Sequence, residues 1–145
     1  MTSKIHSIHV KDLEGVVVDL ISRYNNRILL LIIYNNDCLG CTGRAIPLAH
    51  EFQTKYPSIQ VIGIHADFKN REGSKTSITR IFRNGQIPFP IYIDEHHRVY
   101  DQFKAEGTPQ WVLITENGVL FRSFFGSQAN AQNRLYYAIE ALINN

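Results

Sequence analysis

An α/β fold with a mixed central sheet flanked by helices is what this sequence predicts, on three observations. Two apolar, β-branched runs, residues 27–34 and 59–65, are separated by a single helical stretch, so they must lie parallel in one sheet. Nearer the C-terminus, Trp111–Ile114 and Val119–Phe124 flank Glu116-Asn117-Gly118, the pattern of an antiparallel hairpin. Cys38-Leu39-Gly40-Cys41 holds the only two cysteines of the chain and falls where the first of these strands feeds the first long helix.

In chain order, residues 13–20 predict an opening turn and a strand that extends the sheet at its N-terminal end. Residues 21–26 predict a short helical turn that stops at Asn25-Asn26. The strand 27–34 is apolar throughout, as a strand buried on both faces should be. Residues 42–55 predict a helix whose Leu48, Phe52 and Tyr56, four apart, face the sheet, with Pro47 inside it as a source of bending. After strand 59–65 comes a polar loop over 68–75 and a helix over 76–82 that Asn84-Gly85 can terminate. Residues 90–94 predict a third parallel strand and 99–103 a short helical segment. The hairpin follows, and Ser127 is placed to cap a last helix with Leu135, Ala138, Ile139 and Leu142 on its apolar face.

Composition limits the function. At 145 residues the chain suits a single domain over 1–145. Its 44% hydrophobic content is that of a globular protein rather than a disordered one. A net charge of +2, with basic and acidic residues interleaved, gives no footprint for nucleic acid. No apolar stretch approaches the roughly 18 residues of a membrane span, and a monomer is expected. Residues 1–10 lack the apolar core of a signal peptide, so the expected location is cytoplasmic if Met1 is the native start. It is periplasmic or otherwise extracytoplasmic if a leader has been removed.

The cysteine pair carries the chemistry. At the first turn of a helix, unpaired N–H groups and the positive end of the helix dipole favour a thiolate. Two cysteines in one turn can also close a small disulfide ring with little backbone movement. Three uses compete. A zinc site would need about four ligands, and there is no second C-x-x-C or H-x₃₋₅-H. A purely structural staple stabilises little, because so short a loop has little entropy to lose. Reversible dithiol/disulfide exchange between Cys38 and Cys41 fits best, with metal handling by the two cysteines and a histidine such as His65 as the alternative.

With Gly107-Thr108-Pro109 just before the strand Trp111–Ile114, the chain resembles the thioredoxin superfamily, and more narrowly its TlpA/ResA-like, redoxin-type thiol-disulfide oxidoreductases. The resemblance also rests on Cys38-Leu39-Gly40-Cys41, on Val61-Ile62-Gly63-Ile64-His65-Ala66-Asp67, and on Phe89-Pro90-Ile91-Tyr92-Ile93-Asp94 with Val99 and Phe103. It covers roughly residues 13–143. It implies a thioredoxin-like fold with an αβ insertion over 68–94 and a cis Thr108–Pro109 bond beside the cysteines. It further implies substrate binding by Thr108 and Pro109, no cofactor, and protein thiols or disulfides plus an upstream redox protein as partners. In the implied cycle Cys38 attacks and Cys41 resolves.

The chain departs from the family pattern in three places. Asp37 stands where many relatives have Trp; it could cap the helix, but its charge opposes a thiolate at Cys38. Pro47 lies one position further from Cys41 than the family's helix-kinking proline, which implies a local bulge. Ile32 replaces a buried Asp, so the core strand offers no evident proton acceptor. A peroxiredoxin reading would need a Pro and a Thr where Leu31 and Asn35 stand. His65 and Asp67, after the second strand, and Trp111, after the proline, are candidates to support the site from behind. His96-His97 is expected in a solvated turn.

Overall fold

The computed structural model describes residues 3–66 and 74–144. Seven strands form one sheet in the order β2-β1-β5-β4-β3-β6-β7. They are β1 (His9–Lys11), β2 (Val17–Asp19), β3 (Ile28–Tyr34), β4 (Ile59–His65), β5 (Ile91–Ile93), β6 (Gln110–Ile114) and β7 (Leu120–Phe125). Strands β3, β4 and β5 are mutually parallel, while β1, β6 and β7 run antiparallel to their neighbours β5, β3 and β6, giving the mixed sheet expected. The helices are α1 (Leu20–Arg23), α2 (Ile46–Lys55), α3 (Lys75–Thr79), α4 (Arg98–Gln102) and α5 (Ala129–Ile143).

β3 alternates between two apolar layers. Leu30, Ile32 and Tyr34 pack on one side with Phe52 of α2 and with Leu135 and Ile139 of α5. Leu29, Leu31 and Ile33 pack on the other side with Ile8, Leu20 and Val99. The predicted faces of both long helices are confirmed: Leu48, Phe52, Tyr56, Leu135, Ala138 and Ile139 are buried, and Leu142 packs against them. Phe52 stands edge-on to Tyr136 at 4.7 Å and to Trp111 at 6.4 Å, linking α2, α5 and β6 through one aromatic cluster.

Three expectations are corrected. The expected opening turn and strand are found as the Asp12 turn, whose carboxylate accepts from the N–H groups of Glu14 and Val16 at 2.9 Å, and β2, but β2 pairs with an unforeseen strand β1. β1 is too short and polar to show in a periodicity. The helix around 76–82 stops at Thr79 and starts one residue earlier, because Ser74 and Ser77 form a reciprocal cap. Asn84 and Gly85 both have positive φ, as a terminator requires. Ser127 does not cap α5; Gln128 occupies that position without a side-chain cap bond. The predicted loop over 68–75 and the residue Asp67 lie mostly or wholly outside the described residues.

The expected bulge is a π turn. Helix begins at residue 39, passes through a π-helical turn Cys41–Ala45, where the Ile46 N–H donates to the Cys41 carbonyl five residues back, and continues as α2. The π turn absorbs one extra residue, so Pro47 enters the first turn of α2, where a missing N–H costs least, instead of bending a helix interior.

Gly63 of β4 pairs with Ile32 and Ile91, and a β-carbon there would stand 3.0 Å from the Phe89 ring and 3.4 Å from that of Tyr34. Its absence makes room for both rings. Gly63→Val should therefore lower the unfolding free energy by about 1–3 kcal/mol. Urea denaturation followed by Trp111 fluorescence checks this, and an unchanged midpoint would show that the rings repack freely.

Candidate active site around Cys38 and Cys41

The site lies at the C-terminal ends of the parallel strands, the side on which open α/β sheets bind ligands. Two asparagines after β3 set its geometry. Asn35 is buried; its amide donates to the Ala66 carbonyl at 2.6 Å and its Oδ1 accepts the Asp37 N–H at 2.8 Å. Asn36 donates its N–H to His65 Nε2 at 3.3 Å and its amide to the Ser77 carbonyl at 2.8 Å. These bonds tie the turn before Cys38 to β4 and to α3. The turn does by side-chain hydrogen bonds what a longer strand pairing cannot, and it delivers Cys38 to the helix start.

Cys38 is itself the helix cap. Its carbonyl accepts from Thr42 N–H at 3.1 Å, and its sulfur accepts the Cys41 N–H at 3.2 Å, the bond that a capping oxygen makes elsewhere. The same sulfur donates to the Thr108 carbonyl at 3.4 Å. Asp37 is exposed and does not take the capping position expected of it. Cys41 is wholly buried, while Cys38 is partly accessible, and both are free thiols. Burial pushes the Cys41 thiol up from an ordinary 9.0 to about 12, with the Cys38 side chain adding to the rise and the Asn35 backbone and Thr108 opposing it.

The cis-proline loop reaches the cysteines through the register of β3 and β6. Ile33 pairs with Gln110, so one further step sets Pro109 opposite Tyr34. The Thr108–Pro109 bond is cis, as the resemblance implied. Pro109 is buried, Thr108 half-buried, and the Pro109 carbonyl accepts the Gly126 N–H at 2.9 Å. Trp111 is buried and donates from its indole to the Gly126 carbonyl at 2.8 Å; it fastens the end of β7 to this loop from below instead of lining a groove. His65 is buried, accepts from the Asn36 N–H, and meets the Tyr34 ring edge-on at 5.3 Å, so it holds the turn rather than facing substrate.

Five contributors were not foreseen. Asn35 and Asn36 sit in a polar triplet that reads only as a turn. Ser127 Oγ lies where a β-carbon on Gly40 would be 2.9 Å away, and the Phe125 ring lies over Gly107, with 2.7 Å to a β-carbon there. Leu39, 86% exposed beside Cys38, and Phe125, 48% exposed at the end of β7, are the exposed apolar side chains nearest in sequence to Cys38 and to the Gly126 that bonds Pro109. Tyr34 was legible from strand alternation, since it shares a face with Leu30 and Ile32, which look toward the cysteine helix. It is wholly buried, and among the described residues its hydroxyl has no hydrogen-bond partner. Such an orphan costs about 1–3 kcal/mol.

Among the described residues no group of three or more His, Cys, Asp and Glu could hold a metal ion, so the metal-handling alternative finds no geometric support there. No described helix is long and apolar enough to cross a membrane.

The sequence matches the AhpC/TSA family over residues 1–123. The chain belongs to the AhpC/TSA family. No curated protein sequence matches it, but solved structures match the fold of this AhpC/TSA member along nearly its whole length. One is a provisional thiol:disulfide interchange protein DsbE of Chlorobium tepidum, at 20% identity and TM-score 0.81, covering 97% of this chain and 96% of its own. Another is a thiol-disulfide isomerase of Corynebacterium glutamicum, at 16% identity and TM-score 0.81, covering 99% and 97%. A third is StoA of Bacillus subtilis, at 15% identity and TM-score 0.69, covering 92% and 96%. The fold is thioredoxin-like, and family and fold together put the chain among the thioredoxin-like oxidoreductases.

The raised Cys41 value sets a pH dependence. Between about pH 9 and 12 the folded protein keeps a proton that the unfolded chain has released, so this contribution to stability is full below pH 9 and falls as pH rises. The reduced protein should lose at most about 1.4 kcal/mol per pH unit from this group, and Cys41→Ala should remove that component. Unfolding free energies of both proteins across this range check it; equal slopes would contradict it.

Proposed function

We propose that this protein is a thiol:disulfide oxidoreductase that exchanges a Cys38–Cys41 dithiol/disulfide with protein substrates. The observation that carries this reading is the placement of Cys38. Its accessible sulfur is held between the Cys41 N–H at 3.2 Å and the Thr108 carbonyl at 3.4 Å, with the second thiol buried directly behind it.

In the forward direction the Cys38 thiolate attacks a substrate disulfide, forming a mixed disulfide and releasing one substrate thiolate. Cys41 then attacks Cys38, closing the intramolecular disulfide and releasing the second. The substrate gains two electrons and the two released thiolates take up the two protons of the enzyme dithiol. The reverse sequence oxidises a substrate dithiol. Burial suits Cys41 to resolving, since it meets only the sulfur beside it. The half-buried Thr108 backbone offers an edge to an extended substrate segment, and Pro109, without an N–H, leaves that edge free of a competing donor near the sulfurs. Peroxide reduction is the weaker reading for this member of the family. Leu31 is core, and the Asn35 side chain is committed to Ala66 and Asp37.

Single turnover with dithiobis(nitrobenzoate) tests the assignment. Wild type should release two equivalents of the aromatic thiolate, Cys41→Ser one equivalent with a stable mixed disulfide, and Cys38→Ser little over the same period. If Cys41→Ser still releases two, or Cys38→Ser reacts as fast as wild type, the roles assigned here are wrong.

Leu39 and Gly40 supply no cation beside the thiols. The reduced state then has no special stabilisation, and the couple should sit nearer thioredoxin at about −270 mV than DsbA at about −120 mV. Equilibration against glutathione buffers measures it, and a value above about −150 mV would contradict the argument.

A further inference from the structure

Residues 106–108 carry the carbonyl that meets Cys38, yet among the described residues no backbone–backbone hydrogen bond holds them. The chain is anchored before them at Ala105, whose N–H donates to the Tyr100 carbonyl at 3.0 Å, and after them at Pro109. A side chain spans the gap. Gln110, the first residue of β6, turns back so that its Oε1 accepts the Glu106 N–H at 3.3 Å. Its Nε2 donates to Ser123 Oγ of β7 at 2.9 Å. One buried amide thus closes residues 106–110 into a ring and ties that ring to the neighbouring strand.

Strand alternation places this amide behind the loop. Trp111 packs in the layer of Cys41, and Val112 packs in the opposite layer. Gln110, two residues before Val112, therefore shares the face turned away from the cysteines. Ser123 stands opposite Val112 in the register and lies on that same face. Phe125 stands opposite Gln110, and its ring covers Gly107. The loop is braced from the rear, and the Thr108 carbonyl is left on the Cys38 side. A leucine or methionine would fill the place of Gln110 without burying an amide. Neither could close the ring.

We propose that Gln110 is a positioning residue for substrate docking: its amide sets the Thr108 edge level with the Cys38 sulfur before a substrate chain arrives. The proposal rests on the exchange reaction described above. An extended substrate segment must either find this edge ordered or supply the ordering from its own binding energy. With the ring closed, the ordering is complete in the free protein. Gln110 takes no part in proton or electron transfer, so its contribution falls on binding and not on the chemical steps.

The test is single-turnover oxidation of the reduced full chain by insulin, followed through Trp111 fluorescence over a range of insulin concentrations. Gln110→Met keeps the bulk and loses both bonds. Its half-saturating concentration should rise about fivefold to tenfold, the equivalent of one net hydrogen bond. Its limiting rate should change by less than about twofold, because a docked chain reacts as before. Gln110→Glu should behave as wild type, since a carboxyl group can accept the Glu106 N–H and pair with the Ser123 hydroxyl. Ser123→Ala cuts the tie to β7 but keeps the ring, and should raise half-saturation about twofold to threefold. An amide that only stabilised the fold would leave half-saturation in place. Unchanged half-saturation in Gln110→Met would overturn the proposal, and so would an equal rise in Gln110→Glu. If Gln110→Met does not fold, Ser123→Ala decides alone, and half-saturation equal to wild type there overturns it. If wild type reduces no insulin disulfide, the exchange reading falls and takes the proposal with it. A silent Gln110→Met beside an active wild type removes the proposal alone.

Discussion

Strand β3 is hydrogen-bonded along both edges, parallel to β4 over seven residue pairs and antiparallel to β6 over five. Residues 29–34 are buried on both faces of the sheet. This double pairing is the constraint on which the site depends. The parallel partner brings His65 and Ala66 beside Asn35 and Asn36, which anchor the turn before Cys38. The antiparallel partner brings Thr108 and Pro109 up on the opposite flank. Cys38 thus meets a carbonyl seventy residues away at hydrogen-bond distance because two ladders end at the same level. A slip of one residue in the β3–β6 register would turn Trp111 from the core and carry the proline loop away from the sulfur.

The helix after β3 solves a related problem. A helix start leaves its first N–H groups unpaired, and the Cys38 sulfur takes the Cys41 N–H as a capping oxygen would. The extra residue between Cys41 and Pro47 would rotate the rest of the helix by about a quarter of a turn if it were added to a regular α-helix. The π turn takes up that residue locally. Ile46, Leu48, Ala49 and Phe52 therefore still face the sheet, and the aromatic cluster with Trp111 and Tyr136 is preserved.

The two thiols differ mainly in solvation. Cys38 is partly accessible among backbone partners, with exposed Leu39 beside it in the chain. Cys41 lies in the core, where burial opposes ionisation. In the exchange reaction proposed here, such an asymmetric pair divides the labour, with one sulfur meeting substrate and the other meeting only its neighbour.

The sequence by itself determined the α/β class, the order of the central elements, the buried faces of α2 and α5, the pairing of the C-terminal hairpin and the cysteine motif at a strand–helix junction. These follow from periodicity and from residues whose chemistry is local, such as Asn117-Gly118 at the hairpin. The short strand β1, the loss of the Ser127 cap and the π turn were decided by tertiary packing. A three-residue strand carries too little pattern, and a cap or a bulge is chosen by what the rest of the helix must bury. The same holds for the site. Cys38 and Cys41 are adjacent in sequence and could be read directly. Whether Asp37 or the sulfur caps the helix, whether Trp111 lines a groove or lies beneath it, and whether Tyr34 lies in the layer of Cys41 depend on contacts between residues distant in the chain. Only the closed sheet brings those residues together.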